Sequence, residues 1–157
     1  MVLMVLTDVC ISSSLDIADF DYTRTEKNMP FLGKRSLMNL SEAEWFLQKI
    51  VQRAISKRDF SVIDCYRGEA EQNAKHAQGL SKVKWPHSAH NTGDAVDIIP
   101  CPFQGWDDKD SFQSVVLAFN EAVGELKKEG ELPIEYELEY GIDWEFQDWG
   151  HIQKKGY

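Results

Sequence analysis

Two hydrophobic periods alternate along this chain, and that alternation limits the folds open to it more than any other feature. Ala43, Phe46, Leu47, Ile50, Val51, Ala54 and Ile55 recur at steps of three and four, which predicts an amphipathic helix to about Lys57. Ser41-Glu42-Ala43-Glu44 reads as its capping box. Phe60–Tyr66 reads as a strand, and a short helix follows from about Glu69 to near Gly79. Trp85-Pro86 marks a loop, and Ala95–Ile99 is a strand stopped by Pro100. A second long helix starts near Ser111, with Phe112, Val115, Val116, Phe119, Ala122, Val123 and Leu126 on one face. Ile134, Tyr136, Leu138 and Tyr140 then alternate with Glu135, Glu137 and Glu139, the pattern of a half-exposed antiparallel strand whose acidic face is solvated. Helix, strand, helix, strand, helix, strand and a closing segment, without internal repeats, predict one α+β domain: a small antiparallel sheet with flanking helices.

The length of 157 residues suits one domain plus a tail, and 43% apolar residues are enough for a packed core. The domain reads as residues 31–157. Residues 1–30, with Ser12-Ser13-Ser14 and the acids Asp8, Asp16, Asp19 and Asp21, read as an N-terminal extension. A formal charge of −9 argues against a nucleic-acid binder and against docking on anionic surfaces by charge alone. Met1–Leu6 is apolar but lacks a basic flank and is too short for a signal peptide, and no segment reaches the length of a membrane span. The expectation is a chain without an export signal or membrane insertion. Cys10, Cys65 and Cys101 cannot all pair and form no CxxC, which suggests buried thiols in a reducing compartment.

Two clusters carry chemistry. His90 and Asp97 stand seven apart across Gly93, a residue that permits a sharp turn between loop and strand. Asp97 lies between Val96 and Ile98, where a carboxylate is costly unless a cation or hydrogen bonds compensate it. Near the C-terminus Asp148 and His151 stand three apart. Two histidines, one carboxylate and an open position make a catalytic zinc arrangement, with a second carboxylate as general base. Singly, each piece has a plainer reading: a surface or core histidine, a capping aspartate, a turn with a core indole.

The wider pattern is more specific. Tyr66-Arg67-Gly68-Glu69-Ala70-Glu71-Gln72, Ala77-Gln78-Gly79, Ser88-x-His90-x2-Gly93-x-Ala95-x-Asp97 and Asp148-x2-His151 occur in this order. In these pieces the chain resembles the M15 zinc peptidases: D-Ala-D-Ala carboxypeptidases and dipeptidases, and especially the phage L-alanyl-D-glutamate endopeptidases. The resemblance spans about residues 31–153. Gly33-Lys34-Arg35-Ser36-Leu37, ahead of the first helix, and Gly141-Ile142-Asp143-Trp144 also fit it.

The resemblance implies a hedgehog/D-Ala-D-Ala-peptidase-like fold and a Zn2+ cofactor held by His90, Asp97 and His151. It makes Asp148 the catalytic carboxylate, an Asp as in the endopeptidase branch, and Arg67 the cation that steadies the substrate carbonyl. Ser88 would bind substrate or orient the site, and Trp149 would wall the pocket or simply pack. Three positions depart from the pattern. Asp94 adds an acid near the metal, Gly150 replaces a proline and would loosen the approach to His151, and Gln153 replaces an acid. His87 reads as a solvent-facing loop residue, and His76, on the short helix, as a surface or packing residue.

The implied activity is zinc-dependent hydrolysis of a peptidoglycan stem peptide, at L-Ala–D-Glu, as in an endolysin. The alternatives are a D-Ala-D-Ala carboxypeptidase or dipeptidase, and a non-catalytic zinc-bearing wall-binding or structural domain. Such a lysin would accumulate in the cytoplasm of the producing host and reach the wall after membrane passage. The sequence sets no oligomeric state.

Overall fold

The computed structural model describes residues 30–157, so the expected 1–30 extension and Cys10 lie outside the described residues apart from Pro30. The elements are α1 (Lys34–Leu40), α2 (Trp45–Ala54), β1 (Phe60–Asp64), α3 (Glu69–Ala77), β2 (Ala95–Pro100), α4 (Lys109–Lys128), β3 (Leu138–Tyr140) and β4 (His151–Lys154). Two 3₁₀ turns, Ala89–Asn91 and Gly141–Asp143, flank the strands β2 and β3. The strands form one antiparallel sheet in the order β1-β2-β4-β3. This is the expected α+β class, with one difference: the closing segment is itself a strand, inserted between β2 and β3.

One face of the sheet packs on α2 and α4. Leu47, Ile50, Val51 and Ala54 of α2 meet Phe112, Val115, Phe119, Ala122 and Leu126 of α4, over Phe60, Val62, Val96, Ile98 and Ile152 of the sheet. Phe60 and Phe119 lie ring to ring at 5.4 Å. Cys65 and Cys101 are buried thiols, as expected, and burial pushes the Cys65 thiol up to about 12. Among the described residues no helix is long and apolar enough to cross a membrane.

The Gly33–Leu37 segment, expected ahead of the first helix, largely forms that helix. α1 seals the edge strand: Ser36 Oγ accepts from the Val62 N–H (3.1 Å) and Asn39 Nδ2 donates to the Val62 carbonyl (3.0 Å). The capping box at Ser41 does not form. Ser41 ends α1, with its hydroxyl donating to the Met38 carbonyl (2.6 Å). Glu44 caps α2 alone, accepting from the Leu47 N–H (3.0 Å). α4 starts two residues earlier than expected, because the Asp108 side chain caps it.

The strand expected from Ile134 is shorter. Pro133 opens a turn closed by the Tyr136 N–H on its carbonyl (3.1 Å), and Ile134 is 73% exposed. Glu135 and Glu137 are solvated as expected, but Glu139 is half-buried and faces the site.

Candidate active site

The other face of the sheet carries the polar residues, in two rows set by strand register. Asp64 of β1, Asp97 of β2 and His151 of β4 are successive Cα partners. Ala95, Gln153 and Glu139 form the next row, across β2, β4 and β3. Residues directly opposite on neighbouring strands present their side chains to the same face, so Asp97 and His151 project together. Asp64 joins them only through a bulge. Phe60 and Val62 point to the core, and without the register shift between Val62 and Asp64 the latter would follow them inward.

His90 comes from the 3₁₀ turn before β2. Ser88 caps that turn, its Oγ accepting from the His90 N–H (3.4 Å) while its own N–H donates to Asn91 Oδ1 (3.1 Å). Asn91 Nδ2 donates to the Arg67 carbonyl (2.9 Å), and the Arg67 N–H to the His90 carbonyl (3.0 Å). Gly93 makes the turn into β2 at φ +76°. A Cβ there would sit 2.7 Å from the Glu42 carbonyl oxygen, so both conformation and space demand glycine.

The three expected ligands converge. His90 Nε2 lies 3.2 Å from Asp97 Oδ1 and 3.2 Å from His151 Nδ1, and the last pair closes at 3.0 Å. Each imidazole gives its far N–H away: His90 Nδ1 to the Cys65 carbonyl, His151 Nε2 to Gln153 Oε1 (2.8 Å). That leaves both near nitrogens with lone pairs aimed at one point beside a carboxylate oxygen. Tetrahedral zinc, with ligands at 2.0–2.1 Å, needs donor atoms about 3.3 Å apart, so this donor set fits the ion. Among the described residues it is the one His/Cys/Asp/Glu group able to hold a metal.

The electrostatics ask for a cation at the same point. Burial works to raise the Asp97 carboxyl, but His90 and His151 hold it well below the usual range. Burial works against a proton on His151, yet Asp97, Gln153 and Asp148 raise its pKa. Arg67 supplies fixed positive charge behind the pair: Nε donates to Asp64 Oδ2 (2.7 Å) and Nη2 bonds Asp97 Oδ2. Lys75 Nζ also reaches Asp64 Oδ2, at 2.9 Å.

Asp148 stands at the rim. Its N–H donates to the Gly141 carbonyl (2.9 Å), and its own carbonyl accepts from the His151 N–H (3.1 Å). A Cβ on Gly141 would collide with the Asp148 backbone, so glycine is required for this approach. Gln147, at φ +34°, turns the chain just before it. Asp148 is solvent-exposed as a residue, yet the protein packed around its carboxyl and the Asp97 charge behind it push its pKa up.

Other expectations change. The Ser88 hydroxyl is buried and caps the turn that carries His90. Trp149 packs on the core under Lys109 Nζ, 4.8 Å from its ring centre. The indole beside the site is Trp144, 5.0 Å from the His151 ring and 5.3 Å from Phe146. Asp94 turns away to Thr92 Oγ1 and Lys154. Gly150 does not loosen the approach to His151: a Cβ there would lie 2.6 Å from the Ile98 carbonyl oxygen, and its carbonyl accepts from the Ile98 N–H (2.9 Å). His87 is exposed and His76 half-buried on α3. Asp64, Gln153, Glu139 and Trp144 are site neighbours that sequence reasoning did not assign. A second carboxylate in an apolar strand was a usable signal for Asp64.

A family model described as phage L-alanyl-D-glutamate peptidase matches residues 29–155. Among solved structures the chain is similar to the L-Ala D-Glu endopeptidase ChiX of Serratia marcescens, with a TM-score of 0.64 and 26% identity, covering 77% of this chain and 86% of that one.

Proposed function

This chain belongs to the phage L-alanyl-D-glutamate peptidase family, and on that premise we propose that it cleaves the L-Ala–D-Glu bond of peptidoglycan stem peptides as a zinc enzyme. The observation that carries the metal is the triangle of His90 Nε2, Asp97 Oδ1 and His151 Nδ1, with both far imidazole nitrogens already donating. Zn2+ held there would supply a Lewis acid and bring the pKa of a water to about 7.

The chain's own groups do the rest. Asp148 takes the proton from the attacking water and returns it to the leaving amine, and its raised pKa suits a group that must both accept and give. Arg67 orients Asp97 through Nη2, and its fixed charge offsets the negative charge that builds on the substrate carbonyl oxygen. Trp144 and Phe146 form an apolar wall beside His151, which restricts water around the scissile bond.

Mass spectrometry of purified peptidoglycan after incubation with zinc-loaded protein tests the reading. The expected product carries a new N-terminal D-Glu, with L-Ala left on the muramic acid. Release of D-Ala instead would move the activity to a carboxypeptidase. No product from several wall types, with zinc bound, would favour a non-catalytic binding domain.

A further inference from the structure

We propose that Gln153 is the positioning residue of His151: its side-chain amide, aligned by Glu139, fixes the imidazole with Nδ1 turned to the metal. The inference rests on the zinc reading above and adds to it the device that presents one ligand. Sheet register places the parts. His151 and Gln153 stand two apart on β4 and share a face, and Glu139 of β3 is the Cα partner of Gln153.

The chain of hydrogen bonds has one direction. Glu139 Oε2 accepts from Gln153 Nε2 (3.0 Å), and an ionised carboxylate can only accept. The amide NH2 must therefore face Glu139, which leaves Gln153 Oε1 for the His151 Nε2–H (2.8 Å). An acceptor at Nε2 keeps the proton on that nitrogen and leaves Nδ1 with a lone pair, 3.0 Å from Asp97 Oδ1 and 3.2 Å from His90 Nε2.

Gln153 is 7% exposed, so bulk water does not replace its amide if the side chain is removed. An amide also holds the ring without a second buried negative charge beside Asp97. The charge of the relay sits one residue farther out, on Glu139, where the sheet edge is half-open. Space-filling alone would ask only for volume at position 153. The paired donor and acceptor ask for an amide in one orientation.

The test measures zinc affinity of the full chain by competition with a chromophoric chelator, and the His151 tautomer by nitrogen-15 NMR of the zinc-loaded protein. Gln153→Leu is expected to weaken zinc binding by about 10–100-fold, the usual effect of losing a ligand's outer partner. The slowly exchanging Nε2 proton should disappear with it. Gln153→Glu combined with Glu139→Gln keeps the acceptor for His151 and the net charge, and is expected to restore affinity to at least the wild-type level. Zinc binding and a His151 signal unchanged in Gln153→Leu would overturn the inference and leave the metal reading standing. So would a swapped pair that folds yet binds zinc as weakly as Gln153→Leu, and this variant decides alone if Gln153→Leu does not fold. A wild-type chain that binds no zinc overturns both.

Discussion

Gly150 and Asp148 sit beside the same imidazole, His151, yet they answer to different measurements. With the Ile98 carbonyl 2.6 Å from where a Cβ would go, Gly150→Ala must push β2 and β4 apart. A loss of about 1–3 kcal/mol in urea unfolding is expected, in the range of other overpacked sites. Asp148→Asn keeps the shape and removes the proposed base. Turnover should fall about 10²–10⁴-fold while zinc affinity stays near wild type; full activity in that variant would remove Asp148 from the mechanism. The candidate ligands were legible through the ordered family pattern, with the scarcity of histidines and the place of Asp97 in an apolar strand pointing the same way. Gln153 and Glu139 were not, since their pairing depends on which strand lies beside which. Nothing in the spacing of residues 139 and 153 announces that β3 and β4 are neighbours. Trp144 was hidden for a related reason: the turn at Gly141–Asp143 decides which of two nearby indoles meets His151.

The helices follow from their own periodicity, and their joint is open to two independent tests. Phe119 is fully buried against Phe60, so Phe119→Ala should cost about 3–5 kcal/mol by chemical denaturation. Across the outer side of the same joint, Arg53 of α2 pairs with Glu125 of α4 and with Glu129 just past its end, and Lys57 reaches Glu125. Lys57 holds the Glu125 carboxyl low and Arg53 does the same for Glu129, each by a hydrogen bond. A carboxylate with a depressed pKa stabilises the folded chain above its unfolded value and loses that contribution as pH falls through the folded one. Thermal melts taken downward through about pH 4 should therefore fall more steeply for wild type than for an Arg53→Ala, Lys57→Ala variant. The effect should shrink in high salt, as exposed pairs do. The sequence showed α2 and α4 but misassigned the segment just before α2. Ser41 has the residue type of an N-cap and serves as the end of α1, because the next helix takes its cap from Glu44. The over-long β3 has the same origin: alternation continues through Ile134 and Tyr136, but Pro133 commits the backbone to a turn.

The whole molecule closes around His90, Asp97 and His151, drawn from three separate places: the turn before β2, β2 itself and β4. An ion bound to all three stabilises only the folded chain, so chelation should lower the melting temperature and added zinc restore it. A melting curve indifferent to both would argue against a metal at this centre. The charge of −9 acts at the same scale. An acidic protein approaching an anionic wall gains from screening, so the initial rate on intact walls should rise as salt is added from low ionic strength. The rate on a soluble stem peptide should stay flat, because no extended charged surface is involved. The bulge between Val62 and Asp64 reaches beyond its own strand in a further way. A strand keeps parity, odd residues to one side and even to the other, and the bulge is a single change of sign placed in mid-strand. Upstream of it even numbers build the core; downstream, Asp64 serves Arg67. A substitution along β1 changes one side chain, but a one-residue insertion or deletion there trades the greasy side for the charged side at a stroke. Length changes in this strand are therefore tolerable only in twos, and β1 behaves as a counted spacer between the body of the protein and the carboxylate that steadies its arginine.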